Sequence, residues 1–208
     1  MIPMATGTGT RRNLAAMRAA GWGLVLTPDR PELREGFPVY GIDNGAWGCH
    51  QRKEPWNEQR WLDLLAPNSA AALWCVLPDV VEGGAASLDR SLWYLQEMGS
   101  VPAHWLIAVQ DGMTYADLVP HVSPQVGLFV GGSTEWKEQS LPTWGRLARE
   151  SGCWLHVGRV NSQRRIKLCA MAGADSFDGT SVTRFAKTLP PLDNARRQGA
   201  FLFDTEGI

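Results

Sequence analysis

Cysteine is scarce in this sequence, and neither sign of charge dominates it. The 208 residues include four cysteines, at positions 49, 75, 153 and 169, without a C-x-x-C pair or a zinc-finger spacing. The 20 basic and 21 acidic residues give a net charge of −1, which excludes binding of a polyanion through overall charge. We therefore expect no metal site, and any contact with nucleic acid must come from a local basic patch.

Long apolar runs are also absent. No stretch is long enough to span a membrane, and the first residues lack the basic segment and apolar core of a secretory signal. We therefore expect a cytoplasmic protein with no membrane partner.

The composition is otherwise that of a globular protein. Hydrophobic residues make up 44% and charged residues 20% of the chain, as in ordinary soluble proteins. No low-complexity segment or linker divides the sequence, which predicts a single domain over residues 1–208. Ten tryptophans are many for this length, and such a surplus suits a protein that stacks on planar ligands.

Short apolar runs alternate with helix-like segments along the chain. Eight such runs predict an α/β fold with a parallel sheet, and eight strands are the number that closes a compact (β/α)8 TIM barrel. Because such barrels usually need about 250 residues, we expect tight loops and one or two shortened helices. An open, doubly wound sheet is the alternative, and it requires one or two runs near the N-terminus not to be strands. The predicted strands are residues 2–6, 24–27, 39–43, 71–78, 105–110, 126–131, 153–158 and 174–178.

Two of the intervening helices have clear ends. Leu88, Leu92 and Leu95 share one helical face, and Gly99 is expected to end that helix. A second helix is predicted to begin after residue 161 or 162 and to end at Gly173.

Polar residues and glycines recur where the predicted strands end. In a barrel of this kind the carboxyl ends of the strands form the functional rim. Asp and Gly are common turn residues, but their recurrence at six of eight strand ends indicates a site. The six ends are Asp43-Asn44-Gly45, Pro78-Asp79, Gln110-Asp111-Gly112, Gly131-Gly132, Gly158-Arg159 and Asp178-Gly179.

The last of these strands carries two aspartates with different expected roles. Asp175 begins the strand and Asp178 ends it, and their odd separation places them on opposite faces. Asp178 is therefore the functional candidate at the rim, with Asp43 and Asp79, and Asp175 is structural. Carboxylates without neighbouring histidine ligands favour chemistry at a sugar anomeric carbon, and a divalent-metal site is the competing interpretation.

Six motifs lie in order at these strand ends: GIDNGAW (41–47), CVLPDVVEGG (75–84), AVQDG (108–112), GLFVGGSTEWK (127–137), LHVGRV (155–160) and GADSFDGTSVTR (173–184). Taken in this order, they resemble those of the tRNA-guanine transglycosylase superfamily, and most closely its small phage and bacterial relatives that insert 7-deazaguanines into DNA. The resemblance covers nearly the whole chain and implies a barrel fold. The tRNA enzymes also carry a C-x-C-x-x-C zinc motif and a C-terminal extension, which this sequence lacks.

The resemblance also implies roles for individual residues. Asp178 corresponds to the covalent nucleophile that attacks C1′, and Asp43 to the general acid/base. Asp79 corresponds to the residue that binds the amidine edge of a guanine-type base, and Asn44, where the family has serine, is expected to alter base preference. The remaining base contacts implied are Trp47 stacking on one face, Val157 and Gly158 on the other, and Gln110, Gly131 and Gly132 at the carbonyl edge.

A basic patch provides the expected contact with the nucleic-acid backbone. Residues 151–174 contain four basic side chains and no acid, and Arg184 follows the nucleophile by six residues. A solvated helix face and, for Gly131-Gly132, a phosphate cradle are the alternatives. The residues of the patch are Arg159, Arg164, Arg165, Lys167 and Arg184.

Two further side chains lie close to these motifs. His156, inside an apolar strand, is interpreted as a satisfied core histidine. Trp136 is a candidate exposed stacking residue in a mobile loop over residues 131–144.

The sequence thus predicts an enzyme, a pentosyltransferase that exchanges guanine in DNA for a preQ0-like 7-deazaguanine through a glycosyl-aspartate. It needs no cofactor, its partners are guanine-containing DNA and the free base, and a homodimer is possible. Three alternatives stay open: a tRNA-guanine transglycosylase that needs a partner subunit, a non-catalytic nucleic-acid-binding paralogue, and an unrelated metal-dependent hydrolase.

Overall fold

The computed structural model is a closed barrel of eight parallel strands, and it describes residues 1–7, 9–32, 36–99 and 103–201. All eight predicted strands are present, in sequence order around the barrel. The strands are β1 Ile2–Thr6, β2 Gly23–Leu26, β3 Tyr40–Ile42, β4 Trp74–Val76, β5 His104–Val109, β6 Val126–Val130, β7 Leu155–Val157 and β8 Ser176–Asp178.

The barrel closes through its first and last strands. β1 and β8 pair in parallel with Ile2 opposite Ser176 and Met4 opposite Asp178. The alternative of an open sheet is therefore wrong, because the N-terminal run that it would discard is the strand that completes the ring. The (β/α)8 prediction is confirmed.

Helices surround the barrel and are shorter than usual in places, as expected for this length. The strand β5 is followed by a helix of only four residues and a 3-10 turn at Val119–His121. The predicted shortening is therefore confirmed. The helices are α1 Arg11–Ala19, α2 Ala46–Arg52, α3 Glu58–Asn68, α4 Ala85–Met98, α5 Tyr115–Leu118, α6 Thr134–Ser151, α7 Gln163–Ala172, α8 Ser181–Arg184 and α9 Leu189–Phe201.

Helix ends follow the predicted capping residues. Gly99 ends α4 at φ 61°, and Gly173 ends α7 at φ 76°, the left-handed region that glycine enters without steric cost. Of the two candidate caps for α7, Ser162 is the one used, since its Oγ accepts the N–H of Arg165 at 3.3 Å. Asn161 instead binds the backbone and hydroxyl of Ser181, which fixes the loop after β8.

The barrel interior is filled by large side chains over small ones. The Trp74 ring lies against Gly41 of the neighbouring strand, where a Cβ would come within 2.4 Å of the ring. The interior is therefore a packed core that supports the rim from below. The other buried apolar residues of this interior cluster are Met4, Val25, Val76, Leu106 and Ala108.

Among the described residues, none of the helices is long and apolar enough to cross a membrane.

Candidate active site

Asp178 ends β8 at the rim, and N–H donors hold both of its carboxylate oxygens. The Nε2 of His156 lies 3.0 Å from Oδ2, and the backbone N–H of Arg159 donates to Oδ1 at 3.2 Å. The side chain is 17% exposed, so it still reaches the mouth of the barrel. This carboxylate is fixed from below and accessible from above.

Asp175 lies at the other end of the same strand. Its carboxylate accepts the N–H of Leu155 at 2.8 Å, and its carbonyl accepts the N–H of Ile2 at 2.7 Å. The residue is exposed and joins the starts of three strands, far from the rim. Its contacts are those of a structural residue.

Asp43 follows β3 and lies in a drier environment. Its Oδ1 accepts the N–H of Gly45 at 2.6 Å. Burial raises the pKa of Asp43 to about 7, and the nearby carboxylates of Asp178 and Asp79 raise it further, against the effect of the Gly45 bond. A carboxyl group with this pKa can both give and take a proton near neutral pH.

Asp79 follows β4 and is held by two amide side chains. Asn44 Nδ2 donates to Oδ1 at 2.8 Å, and Gln110 Nε2 donates to Oδ2 at 3.2 Å. Burial raises the pKa of Asp79 above its ordinary value, while these two amides and the charge of Arg90 oppose the rise. Asn44 thus positions Asp79, and it also donates to the carbonyl of Leu77 at 2.7 Å.

The amide of Gln110 is occupied by the protein itself. Besides Asp79, its Nε2 donates to Ser87 Oγ at 2.6 Å and to the carbonyl of Val80 at 3.0 Å. Its Oε1 accepts the N–H of Gly83 at 3.2 Å. The predicted contact of Gln110 with the base would have to replace one of these bonds, and in the present conformation the side chain fixes the loop after β4.

The two glycines after β6 also differ in what they offer. The N–H of Gly131 bonds the carbonyl of Val109 at 2.8 Å and so continues the sheet. Gly132 adopts φ 67°, and a Cβ there would meet the Asp111 carboxylate at 2.5 Å. Since one N–H of the pair is used in the sheet, a two-amide phosphate cradle at Gly131-Gly132 does not form in this conformation.

Asp111, expected to be a turn residue, links two neighbouring loops. Its carboxylate accepts both the N–H and the hydroxyl of Ser133, each at 2.6 Å. Since Ser133 precedes α6, this contact fixes the start of that helix. Residues from 134 onward are helical, so the predicted mobile loop over 131–144 is wrong. Trp136 is half-buried against Trp144 and is not an exposed stacking residue.

Arg159 closes the mouth of the barrel. It has a left-handed backbone, with φ 59°, which is rare for a residue with a side chain. Its guanidinium lies 4.3 Å from the centre of the Trp47 ring and donates to the carbonyl of Gly132. Trp47 is 39% exposed at the rim, so the guanidinium covers the aromatic face predicted to bind a base.

The floor of the site is formed by the end of β7. Val157 is buried, and Gly158 lies so close to the Phe129 ring that a Cβ would come within 2.9 Å of it. The carbonyl of Gly158 accepts a hydrogen bond from the ammonium group of Lys137, a buried residue of α6. Burial lowers the pKa of Lys137 to about 8. The sequence did not predict Lys137 as a site residue. The signal for its inward position is that it lies on the apolar face of its helix.

The basic patch is less positive than its own sequence indicates. Glu138 of α6 pairs with both Arg164 and Arg165, the latter at 2.9 Å. Lys167 and Arg184 are exposed, and Arg164 keeps 70% of its side chain in solvent. The acid-free stretch of sequence thus receives its counter-charge from the preceding helix.

Within the described part of the chain, no group of three or more histidine, cysteine, aspartate or glutamate side chains is arranged to hold a metal ion. The four cysteines are free thiols. Burial raises the pKa of Cys75 and of Cys169 to about 12, which is the behaviour of packed core residues.

Comparison with known proteins supports the fold but does not assign the chain to a family. No protein-family profile matches the chain, and no curated protein matches it. Solved structures do match. The BexX/CysO complex of Amycolatopsis orientalis has a TM-score of 0.59 at 12% identity, over 99% of this chain and 92% of that one.

Two further similar structures are triosephosphate isomerase from Bartonella henselae and CitE from Mycobacterium tuberculosis in complex with magnesium and pyruvate. The first has a TM-score of 0.53 at 10% identity, over 94% of this chain and 98% of that one. The second has a TM-score of 0.53 at 13% identity, over 93% and 89%. The similar structures thus include enzymes, but at such identities the likeness shows the barrel fold alone.

Proposed function

We propose that this protein is a glycosyltransferase that replaces guanine in DNA by a 7-deazaguanine base through a covalent bond to Asp178. The observation that carries the proposal is the grouping of Asp43, Asp79 and Asp178 at one rim, where burial and then the charges of Asp178 and Asp79 raise the pKa of Asp43. Each carboxylate has a different set of hydrogen-bond partners, as a division of roles requires. The ordered motifs that resemble the transglycosylase superfamily point to the same chemistry.

Asp178 acts as the nucleophile in the first half-reaction. A lone pair of its carboxylate forms the bond to C1′, the C1′–N9 bond breaks with its electron pair going to guanine, and the guanine takes up one proton. Asp43, with a pKa of about 7, is protonated in a large fraction of molecules at neutral pH and supplies that proton. The product is a glycosyl ester of Asp178 and free guanine.

The second half-reaction reverses these roles for a new base. The carboxylate of Asp43 takes the N9 proton of the incoming 7-deazaguanine, N9 forms the bond to C1′, and the C1′–O bond breaks with its electron pair returning to Asp178. Two displacements at the same carbon retain its configuration. The exchange balances without a redox or phosphate cofactor.

The base site has a flat face and an acceptor edge. Trp47 offers the face, and the guanidinium of Arg159 now occupies it while donating to the carbonyl of Gly132. A guanidinium is planar and rich in N–H donors, as is the amidine edge of a guanine-type base. We therefore assign the Trp47–Gly132 space to the base and Asp79 to its amidine edge, with Arg159 displaced on binding.

A base inside a duplex must leave the stack to reach such a site, at a cost of a few kcal/mol. We assign the displaced Arg159, with Lys167, Arg184 and the exposed Arg164, to the neighbouring phosphates. Phosphate contacts of this kind fix position without reading sequence.

The test is isotope exchange combined with adduct detection. Purified protein is incubated with labelled guanine and either DNA or tRNA, and a denaturation-resistant protein–nucleic acid adduct is sought. Nucleoside mass spectrometry of DNA and RNA from cells that also make 7-deazaguanines identifies the modified base. Label and adduct are expected with DNA. Incorporation into tRNA alone would overturn the DNA assignment, and exchange retained in Asp178→Ala would overturn the mechanism.

A further inference from the structure

A chain of hydrogen bonds runs up through the barrel to Asp178 and involves a histidine that the proposed chemistry does not use. The indole N–H of Trp154 donates to Ser176 Oγ at 3.0 Å, and Ser176 Oγ lies 2.7 Å from His156 Nδ1. His156 Nε2 lies 3.0 Å from Asp178 Oδ2. The chain thus connects the lower end of β7 with the rim.

The proton positions along this chain follow from what each group can donate. An ionised carboxylate only accepts, so His156 Nε2 must carry a hydrogen. In a neutral imidazole Nδ1 is then an acceptor, and Ser176 must spend its single hydroxyl hydrogen on it. The Ser176 oxygen accepts in turn from Trp154, which can only donate. All the hydrogen bonds of this chain therefore point the same way, each group donating to the next one from Trp154 to Asp178.

The surroundings of His156 keep it neutral. It is fully buried, with its ring stacked on Phe129 at 4.8 Å and beside Trp74 at 4.4 Å. Burial lowers the pKa of His156, the charge of Lys137 lowers it further, and Asp178 opposes both effects. Asp178 and Lys137 are the charged groups that influence this ring, and a cation would be poorly solvated there.

We propose that His156 is a positioning residue for the nucleophile: Ser176 fixes its Nε2–H tautomer, and that N–H holds Oδ2 of Asp178 so that Oδ1 is the oxygen that attacks C1′. Oδ2 faces a fully buried ring, whereas the partner of Oδ1 among the described residues is the backbone N–H of Arg159, the residue whose guanidinium the base displaces in the proposed function. This assignment rests on the proposed function, but the tautomer is a property of the free protein.

The tautomer is tested by nitrogen-15 NMR of the histidine rings between pH 5 and 9. The chain has four histidines, and His156→Phe identifies the signal of interest. We expect a neutral ring protonated at Nε2 over the whole range, and loss of this fixed tautomer in Ser176→Ala. A ring that titrates or carries its hydrogen on Nδ1 overturns the proposal, whatever the activity.

The positioning role is tested by the rate of adduct formation in variants of the hydrogen-bond chain. His156→Phe keeps the ring packed between its aromatic neighbours but removes the donor, and we expect the rate to fall by about 100-fold. Ser176→Ala should lower it about 10-fold, with Ser176→Thr restoring most of the loss because the hydroxyl returns. Recovery of the rate in Ser176→Thr separates the role of the hydroxyl from the packing of this strand.

His104→Phe is the matched control, since His104 stacks on Trp154 but lies outside the hydrogen-bond chain. It should leave the rate of adduct formation unchanged. If His156→Phe leaves the rate unchanged, or if Ser176→Thr fails to restore what Ser176→Ala loses, the positioning role is wrong. A wild-type protein that holds the tautomer but forms no adduct with DNA or tRNA instead refutes the proposed function.

Discussion

Asp43 and Asp178 stand at the ends of two strands of one barrel, yet the chain surrounds them in opposite ways. Asp178 accepts N–H donors on both oxygens, one from a buried ring and one from the backbone. Asp43 accepts one backbone N–H from the part of the chain that the structure describes, and burial dominates, raising its pKa to about 7. Hydrogen bonds from N–H groups favour a charged carboxylate, whereas burial favours a neutral one.

Under the proposed function, this difference fits the two chemical roles. A nucleophile must be ionised and aimed, which fixed donors achieve, and a proton carrier must change state near the working pH, which burial achieves. Two aspartates with identical side chains therefore suit different steps because their neighbours differ.

The largest expected effect separates Asp178 from the aspartate three residues before it. Asp178→Ala should lower exchange by at least about 10⁴-fold and remove the adduct, because the bond to C1′ has no other nucleophile. Asp175→Ala is the matched control. It removes a structural contact with Leu155, which should lower the stability by about 1 kcal/mol, and it should keep the adduct. Equal loss of adduct in both variants would contradict the assignment of the two ends of β8. Denaturing gels and unfolding curves measure both.

Asp43→Asn should lower the turnover rate by about 10²–10⁴-fold, since the amide cannot carry the proton. The rate of wild type should change around pH 7, and that dependence should vanish in the variant. Asp111→Asn, at a rim carboxylate bonded to Ser133, is the control that retains it. A rate profile of Asp43→Asn that still breaks at pH 7 would assign the proton to another group. Steady-state kinetics across pH 5–9 checks this.

The same pKa predicts how stability depends on pH. A carboxyl group whose pKa is about 4 in the unfolded chain and about 7 in the folded protein binds more protons in the native state between these pH values. Stability therefore falls as the pH rises through this window. The loss should reach at most about 4 kcal/mol and should be absent in Asp43→Asn. Urea unfolding at pH 5 and pH 8 measures it. A difference in stability between pH 5 and pH 8 that is the same in wild type and in Asp43→Asn would disprove the raised pKa.

Asp79 sharpens the comparison, because it is buried like Asp43 but held by two amides. Asp79→Asn should raise KM for the free base by about 10–100-fold and change the turnover rate less, since a charged acceptor on the base edge is lost. Asn44→Ala is the companion variant, since it removes one of the amides that hold Asp79. If Asp79→Asn lowers turnover as much as Asp43→Asn, the division between recognition and proton transfer is wrong.

The smallest effect is expected at Arg159, where the left-handed backbone lowers the stability and the Trp47 contact raises it. Arg159→Gly relieves about 1 kcal/mol of strain and loses a similar cation–π energy, so stability should stay within about 1 kcal/mol of wild type. DNA affinity should fall, with the slope of log affinity against log salt reduced by about one. An unchanged salt slope would remove Arg159 from the phosphate contacts.

Much of the rim was predictable from the sequence. Apolar runs that end in Asp, Asn or Gly are visible without a structure, and barrel geometry brings all such ends to one edge. The sequence could not show that Gln110 is consumed by the loop after β4, or that Glu138 neutralises two arginines of the patch. These contacts join residues about 25 positions apart, and no local pattern encodes them.

The sequence by itself determined the eight strands and the distinction between Asp175 and Asp178, because side-chain alternation and burial are local properties of a strand, whereas the closure of the barrel rests on the pairing of β1 with β8. Only the tertiary structure decided what each rim carboxylate can do. The pKa of Asp43 and the partners of Asp178 depend on which groups the closed ring brings within a few ångströms. His156 illustrates the point: the sequence predicts a satisfied core histidine, and the fold makes the carboxylate of Asp178 one of the partners that satisfy it.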